Sequence, residues 1–166
     1  MGSISPVRLI FDDKAAAGEV SDMGIGQLRD LVGEWQLAVD LPGAENVRGH
    51  AMFETVGELL VQRTTAPVPE APDSCCVVVA GADGSYLQHY FDSRGVARLY
   101  AMTFDGRIWT LERTKPDFSP LEFHQRFVGS ISTDGTTIDG EWQGSDDGQQ
   151  WRRDFGLTYT RIITAR

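Results

Sequence analysis

The stretch QHYFDSRGVARLYAMTFDGRIWTLER, residues 88–113, decides the fold because turn signals interrupt its apolar and polar alternation twice. Alternation with a period of two is typical of a β-strand that has one buried and one exposed face. The DG pair at 105–106 favours a tight hairpin turn, and DSRG at 92–95 is a second, longer turn. The stretch therefore predicts three consecutive antiparallel strands.

The same pattern continues on both sides of this stretch. Further DG turns occur at 83–84, 134–135 and 147–148, and a short helix is indicated at 25–32. This succession is typical of an all-β fold, and we predict a ten-stranded antiparallel up-and-down barrel with a short N-terminal helix. The strands are expected at 33–40, 47–55, 58–65, 74–81, 85–91, 96–104, 107–113, 121–131, 136–144 and 149–163.

Length and composition indicate one folded domain. The chain has 166 residues, of which 41% are apolar and 23% are charged, so it can bury a core of its own. We expect residues 1–24 to form a flexible N-terminal arm and residues 25–166 to form the barrel domain. The proline-rich segment 66–74 suggests a loop at the barrel rim.

The charge balance argues against several classes of partner. The net charge is −9, whereas a nucleic-acid-binding surface needs a basic stripe. We therefore expect no nucleic acid and no membrane partner, and no apolar run approaches the roughly 20 residues that span a bilayer. The adjacent Cys75 and Cys76 point to opposite faces of a strand and rarely bridge, which favours reduced thiols and a cytoplasmic protein.

The turns predict which side chains share the inner face. A two-residue turn at 105–106 places Arg98 opposite Arg113, and a four-residue turn at 92–95 places His89 opposite Arg98. The aromatic face is inside, because burying the charges of the other face without partners would cost several kcal/mol each. The expected inner residues are Leu87, His89, Phe91, Arg98, Tyr100, Met102, Phe104, Trp109, Leu111, Arg113, Phe123, Gln125, Phe127, Ile131, Ile138, Trp142, Trp151, Arg153, Phe155, Leu157, Tyr159 and Arg161.

An interior that takes in Arg98, Arg113 and Arg153 is unlike a filled apolar core, so we expect a cavity that holds water and a polar ligand. His89 with Arg98 and Arg113 could cradle a carboxylate, enolate or phenolate through charge-assisted hydrogen bonds. An internal network that only holds the barrel together is an equal alternative. The predicted ligand-binding residues are Arg98, Arg113, Trp109, Met102, Gln125, Phe127, Trp142, Trp151 and Arg153.

The GEW motif at 33–35, together with Arg161 near the end of the last strand, resembles the G-x-W and C-terminal arginine pattern of the calycin superfamily. That superfamily contains the lipocalin and fatty-acid-binding-protein barrels. The resemblance implies that Arg161 packs across Trp35 and closes one barrel end. A guanidinium can stack on an indole, so the implied contact is physically sound.

A closer resemblance covers residues 27–163, with YFDSRGV at 90–96 and DFGLTYTR at 154–161 as its most specific parts. It is to a family of small lipocalin-like bacterial proteins of unknown function. The chain is more distantly similar to nitrobindin, a ten-stranded barrel that binds haem through a histidine on a late strand. The histidines here are at 50, 89 and 124, outside the last two strands. We therefore expect no cofactor, and without CxxC, HxH or HExxH we expect no metal site.

The first functional hypothesis is the binding of a small, largely apolar ligand with an acidic or polar end inside the barrel. The expected partner is a small hydrophobic or aromatic molecule, and a homodimer is a further expectation. The alternative is a cofactor-independent cyclase or isomerase of bacterial secondary metabolism that uses the same cavity, with His89 or Tyr100 as general acid or base. A third hypothesis is an interaction module without a small ligand.

Overall fold

The computed structural model of the protein describes residues 24–67 and 71–164. The predicted arm lies outside the described residues apart from its last one, and so does the middle of the loop at 66–74. The structure contains the 3₁₀ helix Ile25–Leu31 and the strands β1 Gly33–Leu41, β2 Ala44–Val56, β3 Leu59–Thr65, β4 Ser74–Ala80, β5 Tyr86–Asp92, β6 Ala97–Phe104, β7 Ile108–Arg113, β8 His124–Ile131, β9 Thr137–Ser145 and β10 Arg152–Arg161.

The ten strands form a closed antiparallel barrel in chain order, in which β1 pairs with both β2 and β10. Closure leaves no free sheet edge. The predicted fold, an all-β ten-stranded antiparallel barrel with a short N-terminal helix, is therefore confirmed. None of the helical segments that the structure describes has the length and apolar character needed to cross a lipid bilayer.

The short helix covers one end of the barrel. Ile25, Leu28 and Leu31 are buried, and residues three apart in a 3₁₀ helix lie in one row. That row faces the barrel interior. The indole nitrogen of Trp35 donates a hydrogen bond of 2.8 Å to the carbonyl oxygen of Leu31, which ties the end of the helix to β1.

Arg161 completes this closed end, as the resemblance implied. Its guanidinium carbon lies 4.1 Å from the ring centroid of Trp35. A side chain at Gly33, whose φ is +128°, would place its Cβ 2.9 Å from the same guanidinium, so glycine leaves the room that the arginine occupies. The carbonyl oxygens that accept hydrogen bonds from Arg161 are those of Asp30, Val32 and Gly135, at 2.5, 2.7 and 2.9 Å.

The turn between β5 and β6 differs from the prediction by one residue. Asp92 N donates to Val96 O at 3.0 Å and Gly95, with φ +81°, ends a three-residue loop. Such loops combine a type I turn with a left-handed residue. A slip of one residue exchanges the two faces of a strand, so the predicted inner face of β5 is wrong. Tyr86, Gln88 and Tyr90 point inward, whereas Leu87, His89 and Phe91 point outward.

The turn between β6 and β7 is shifted by two residues, which preserves the faces. Phe104 pairs with Trp109, because the carboxylate of Asp105 accepts hydrogen bonds from the backbone N–H groups of residues 107 and 108, at 2.8 and 2.6 Å. The predicted pairing of Arg98 with Arg113 is therefore wrong. Both strands still present the predicted residues inward.

A bulge in β10 overturns the predicted position of Arg153. The residue pairs with Gln143 on β9, and the next paired residue is Phe155, so Asp154 is the extra residue. A bulge of one residue changes which side chains face inward. Arg153 therefore lies outside, where its guanidinium nitrogens contact the carboxylates of Asp40 and Glu141 at 2.8 and 3.1 Å.

Trp151 also lies on the outer surface, which corrects its predicted inward position. It precedes β10, and the guanidinium carbon of Arg126 is 4.2 Å from its ring centroid. Arg126 belongs to the outer face of β8, because its neighbours Gln125 and Phe127 face the interior. The tryptophan therefore packs beneath a surface arginine.

Candidate functional site

The half of the barrel opposite the short helix encloses a cavity of about 590 Å³. Loop residues such as Ala71, Arg94 and Phe123 surround its mouth. Its floor is aromatic: the ring of Trp109 lies 4.9 Å from that of Phe127 and 6.0 Å from that of Tyr159, between centroids. The volume lies within the roughly 300–1,000 Å³ that is usual for small-molecule sites.

Two glycines determine the position of the floor. Gly129 and Gly140 face each other across β8 and β9. A Cβ on Gly140 would lie 2.5 Å from the ring of Phe127, and one on Gly129 would lie 2.9 Å from it. The ring therefore lies against bare backbone, as aromatic side chains do over glycines in a sheet. This packing leaves the space above Phe127 open.

One wall of the cavity is aromatic. The ring centroid of Trp142 lies 5.4 Å from that of Phe127, 5.5 Å from that of Tyr100 and 6.4 Å from that of Phe155. Trp109, Gln125, Phe127 and Trp142 thus line the cavity as predicted. Met102 does not line it, because it is buried in the core.

Arg113 lies outside the cavity wall, in a buried ion pair that sequence reasoning missed. Its Nε and Nη2 atoms donate to the carboxylate of Asp117 at 2.7 and 2.9 Å, and the two side chains are 1% and 2% exposed. Hydrogen bonds from Arg113 hold the pKa of Asp117 well below its usual range, and the backbone N–H groups of Leu99 and Ser119 add to them. The predicted cradle of His89, Arg98 and Arg113 is therefore not formed.

The signal for this pair was present in the segment KPDFSP, 115–120. Asp117 follows Arg113 by four residues, and its carboxylate accepts a hydrogen bond of 3.1 Å from the backbone of Ser119, an Asx-type turn. Such a turn folds a loop back on itself. Sequence alone does not say that this loop returns to the end of β7.

Arg98 is the predicted cation that does line the cavity. Its Nη1 atom donates to Ala97 O at 3.1 Å and to the hydroxyl of Ser119 at 2.9 Å. Within residues 24–67 and 71–164, it has no carboxylate partner at ion-pair distance. By contrast, Arg94 at the same mouth pairs with Asp92 at 2.7 Å. Hydrogen bonds from Arg94 and Tyr90 outweigh burial and lower the pKa of Asp92 to about 2.

Tyr100 and Gln125 form a second polar pair in the wall. The hydroxyl of Tyr100 donates to Oε1 of Gln125 at 3.1 Å. Burial raises the pKa of Tyr100, and the nearby Arg98 and Arg113 only partly oppose this. The phenol is therefore neutral near pH 7 and acts as a hydrogen-bond donor.

Three buried polar residues of the wall were missing from the prediction. Gln62, Cys76 and Gln88 line the cavity, and each is less than a tenth exposed. Gln62 donates to the hydroxyl of Thr64 at 3.1 Å. Burial raises the pKa of Cys76 to about 12, so its thiol stays protonated and is a poor nucleophile. Gln88 was missed because the predicted turn at 92–95 placed it on the outer face.

The histidines lie away from the cavity wall. His89 lies on the outer face of β5, and His50 lies on the outside, 3.4 Å from Glu34. His124 is the first residue of β8, and its side chain points to the face opposite that of Gln125, away from the cavity. In the part of the chain that the structure describes, no three or more histidine, cysteine, aspartate or glutamate residues are grouped so as to hold a metal ion.

Comparison with known proteins shows a shared fold. No family model and no curated protein matches the chain. Among solved structures, the chain is similar to Rv2717c from M. tuberculosis, with a TM-score of 0.57 and 15% sequence identity. The match covers 87% of this chain and 100% of that one. At this identity the similarity supports the barrel fold alone.

Proposed function

We propose that the barrel binds a small, largely apolar molecule with an acidic or polar end. The observation that carries this proposal is Arg98. It lines an otherwise mainly apolar cavity and has no carboxylate partner among the described residues, whereas Arg94 and Arg113 nearby each have one. A cavity with an aromatic lining and a few convergent polar groups is typical of small-molecule sites.

The two kinds of lining contribute differently to binding. Burying about 200 Å² of apolar ligand surface supplies about 5 kcal/mol at about 25 cal/mol per Å², most of which offsets the cost of association. A charge-assisted hydrogen bond adds about 1.5–3 kcal/mol. The aromatic wall therefore supplies most of the affinity, and Arg98 orients the ligand with its acidic end at the mouth.

Two fluorescent probes test this proposal. N-phenyl-1-naphthylamine and 8-anilino-1-naphthalenesulfonate share their ring system and differ in the sulfonate. We expect both probes to bind the wild-type protein. Arg98→Gln should lower the affinity for the sulfonate probe by about tenfold and change the affinity for the neutral probe by less than about twofold. The matched control is Arg107→Gln, at an exposed arginine at the closed end of the barrel.

Two results would count against the proposal. One is that the neutral probe gives no saturable fluorescence increase with the wild-type protein. The other is that Arg98→Gln and Arg107→Gln have the same effect on the sulfonate probe. Native mass spectrometry of the freshly purified protein is an independent search for a co-purified ligand.

The cyclase or isomerase alternative has less support. Of its two predicted acid–base residues, His89 lies outside the barrel and Tyr100 lines the cavity. Because burial raises the pKa of Tyr100, its hydroxyl could donate a hydrogen bond to a developing oxyanion, but it is poorly suited to be a base near pH 7. Catalysis in this cavity stays a prediction.

An apolar patch on the outside favours self-association as a second candidate property. Leu87, Phe91 and Phe118 are 37%, 43% and 59% exposed, and the last two rings are 6.5 Å apart. Phe91 and Phe118 are adjacent, and Leu87 lies on the same outer face of β5 beyond His89. Exposed apolar surface of this kind often marks an interface, and a two-fold dimer uses the same patch on both copies. The proposed occupant is a second copy of this chain, and light scattering measures its molar mass in solution.

A further inference from the structure

Gln88 carries a buried side-chain amide that has no hydrogen-bond partner among the described residues. Its side chain is 3% exposed and lines the cavity. None of the residues 24–67 and 71–164 forms a hydrogen bond with its side chain. A glutamine amide has two N–H donors and an oxygen with two lone pairs, and these atoms reach the cavity space, since the fully enclosed unpartnered side-chain atoms of the described residues belong to Trp109 and His124.

Two polar side chains of the wall near Gln88 are already hydrogen-bonded to other residues. Tyr100 stands opposite it in the strand register, and the hydroxyl of that residue donates to Gln125. Two strands away, on β3, the side chain of Gln62 donates to the hydroxyl of Thr64. The free hydrogen-bonding capacity of Gln88 is therefore directed to the cavity.

This part of the cavity is also electrically neutral. Arg98 pairs with Tyr90 in the register, one inward-facing position closer to the mouth than Gln88, about 7 Å along the strands. The charge of Arg113 is already matched by Asp117. A buried ion needs a partner of opposite charge, so an ionised group has no counterpart at the depth of Gln88.

We propose that Gln88 recognises a neutral ligand group that both donates and accepts hydrogen bonds, such as a carboxamide, a lactam or a pyridone ring. This inference rests on the proposed function and adds a second recognition point to it. The neutral group lies at the depth of Gln88, and any acidic group lies nearer the mouth at Arg98. Gln88 is then a specificity residue of the site.

The test compares two ligands of the same shape. The carboxamide of 2-naphthamide can donate and accept, whereas 2-isopropylnaphthalene has no hydrogen-bonding group. Each is used to displace N-phenyl-1-naphthylamine. We expect Gln88→Met to raise the concentration of 2-naphthamide that displaces half of the probe by about tenfold. The corresponding concentration of 2-isopropylnaphthalene should change by less than about twofold. Gln36→Met, at an exposed position on the outer face of β1, is the matched control.

The outcomes separate the two proposals. If the fluorescent probe does not bind the wild-type protein, the binding function and the role of Gln88 both fail. If the probe binds and Gln88→Met leaves displacement by 2-naphthamide unchanged, only the role of Gln88 is overturned. The wild-type protein offers a measurement without a variant: the side-chain NH₂ resonance of Gln88 should shift on addition of 2-naphthamide, and an unshifted resonance at saturation overturns the inference.

Discussion

Each end of the barrel contains one structural arginine, fully buried at the open end and partly buried at the closed end, and the partners of the two differ. At the closed end, Arg161 contacts the ring of Trp35 and, within the described residues, donates only to backbone carbonyl oxygens. At the open end, Arg113 donates mainly to the carboxylate of Asp117, which a loop supplies. The arginine at the closed end is therefore held by backbone acceptors, whereas the arginine at the open end is held mainly by the side chain of one residue, Asp117.

This difference separates stability from binding. The closed end lies below the aromatic floor, so its contacts hold the barrel together without touching a ligand. The open end uses Asp117 to neutralise one arginine and leaves Arg98 without a carboxylate partner in the described chain. A substitution at the closed end should therefore lower stability without changing ligand affinity. Substitutions at the open end should be of two kinds, those that destabilise the fold and those that change which ligand is bound.

The largest effect is expected from Asp117→Ala. The substitution leaves Arg113 buried without a countercharge, which costs about 3–5 kcal/mol. Urea denaturation measures the loss in the free energy of unfolding. The double variant Arg113→Met with Asp117→Ala should lose less, because no unpaired charge stays buried. An equal or larger loss in the double variant would show that the charge is not the cause.

The ion pair of Arg113 and Asp117 predicts that the free energy of unfolding depends on pH. The folded-state pKa of Asp117 lies below its ordinary value of 3.8 because of its hydrogen bonds from Arg113. As the pH falls, the unfolded chain takes up this proton first, so the stabilisation is present above about pH 4 and is lost at lower pH. The stability difference between the wild type and Asp117→Asn should shrink between about pH 5 and about pH 2. A constant difference would contradict this assignment.

A smaller effect is expected at the closed end. Arg161→Met keeps the apolar length of the side chain but removes its stacking on Trp35 and its charged hydrogen bonds, so we expect a loss of about 2–3 kcal/mol. The affinity of the folded protein for N-phenyl-1-naphthylamine should not change. A parallel fall in stability and in probe affinity would show that the two ends are coupled.

The smallest effect is expected at the floor between the two ends. Gly140→Ala places a Cβ 2.5 Å from the ring of Phe127 and 2.9 Å from the carbonyl oxygen of Leu157, so the ring and the backbone must both shift, which costs about 1–3 kcal/mol. A ring displaced towards the mouth also takes up cavity volume and should weaken binding of the neutral probe. Gly144→Ala is the control, because a Cβ there would lie 4.0 Å from the carbonyl oxygen of His124, an ordinary van der Waals distance. Equal effects of the two substitutions would rule out the close contact with Phe127 as the cause.

Much of the fold could be predicted from the sequence, but less of the site. The strand β5, YLQHYFD, has apolar or aromatic residues in both alternating sets. Its pattern is therefore compatible with either face being inside, and the length of the turn at 93–95 decided the matter. Five of the predicted ligand-binding residues face inward as expected, because their strands alternate clearly and their turns preserved the faces: Arg98, Trp109, Gln125, Phe127 and Trp142.

The sequence by itself determined the number and order of the strands and the residues that meet at the closed end. Turn signals and alternation are local, and the contact of Trp35 with Arg161 follows once the first and last strands pair. Only the tertiary structure decided which polar groups enter the cavity. Gln88 replaces His89 through a slip of one residue, Asp154 replaces Arg153 at the cavity wall through a bulge, and Asp117 arrives from a loop and holds Arg113 outside that wall. Side chains of a strand alternate with a period of two, so one residue in a turn or bulge is enough to exchange inside and outside.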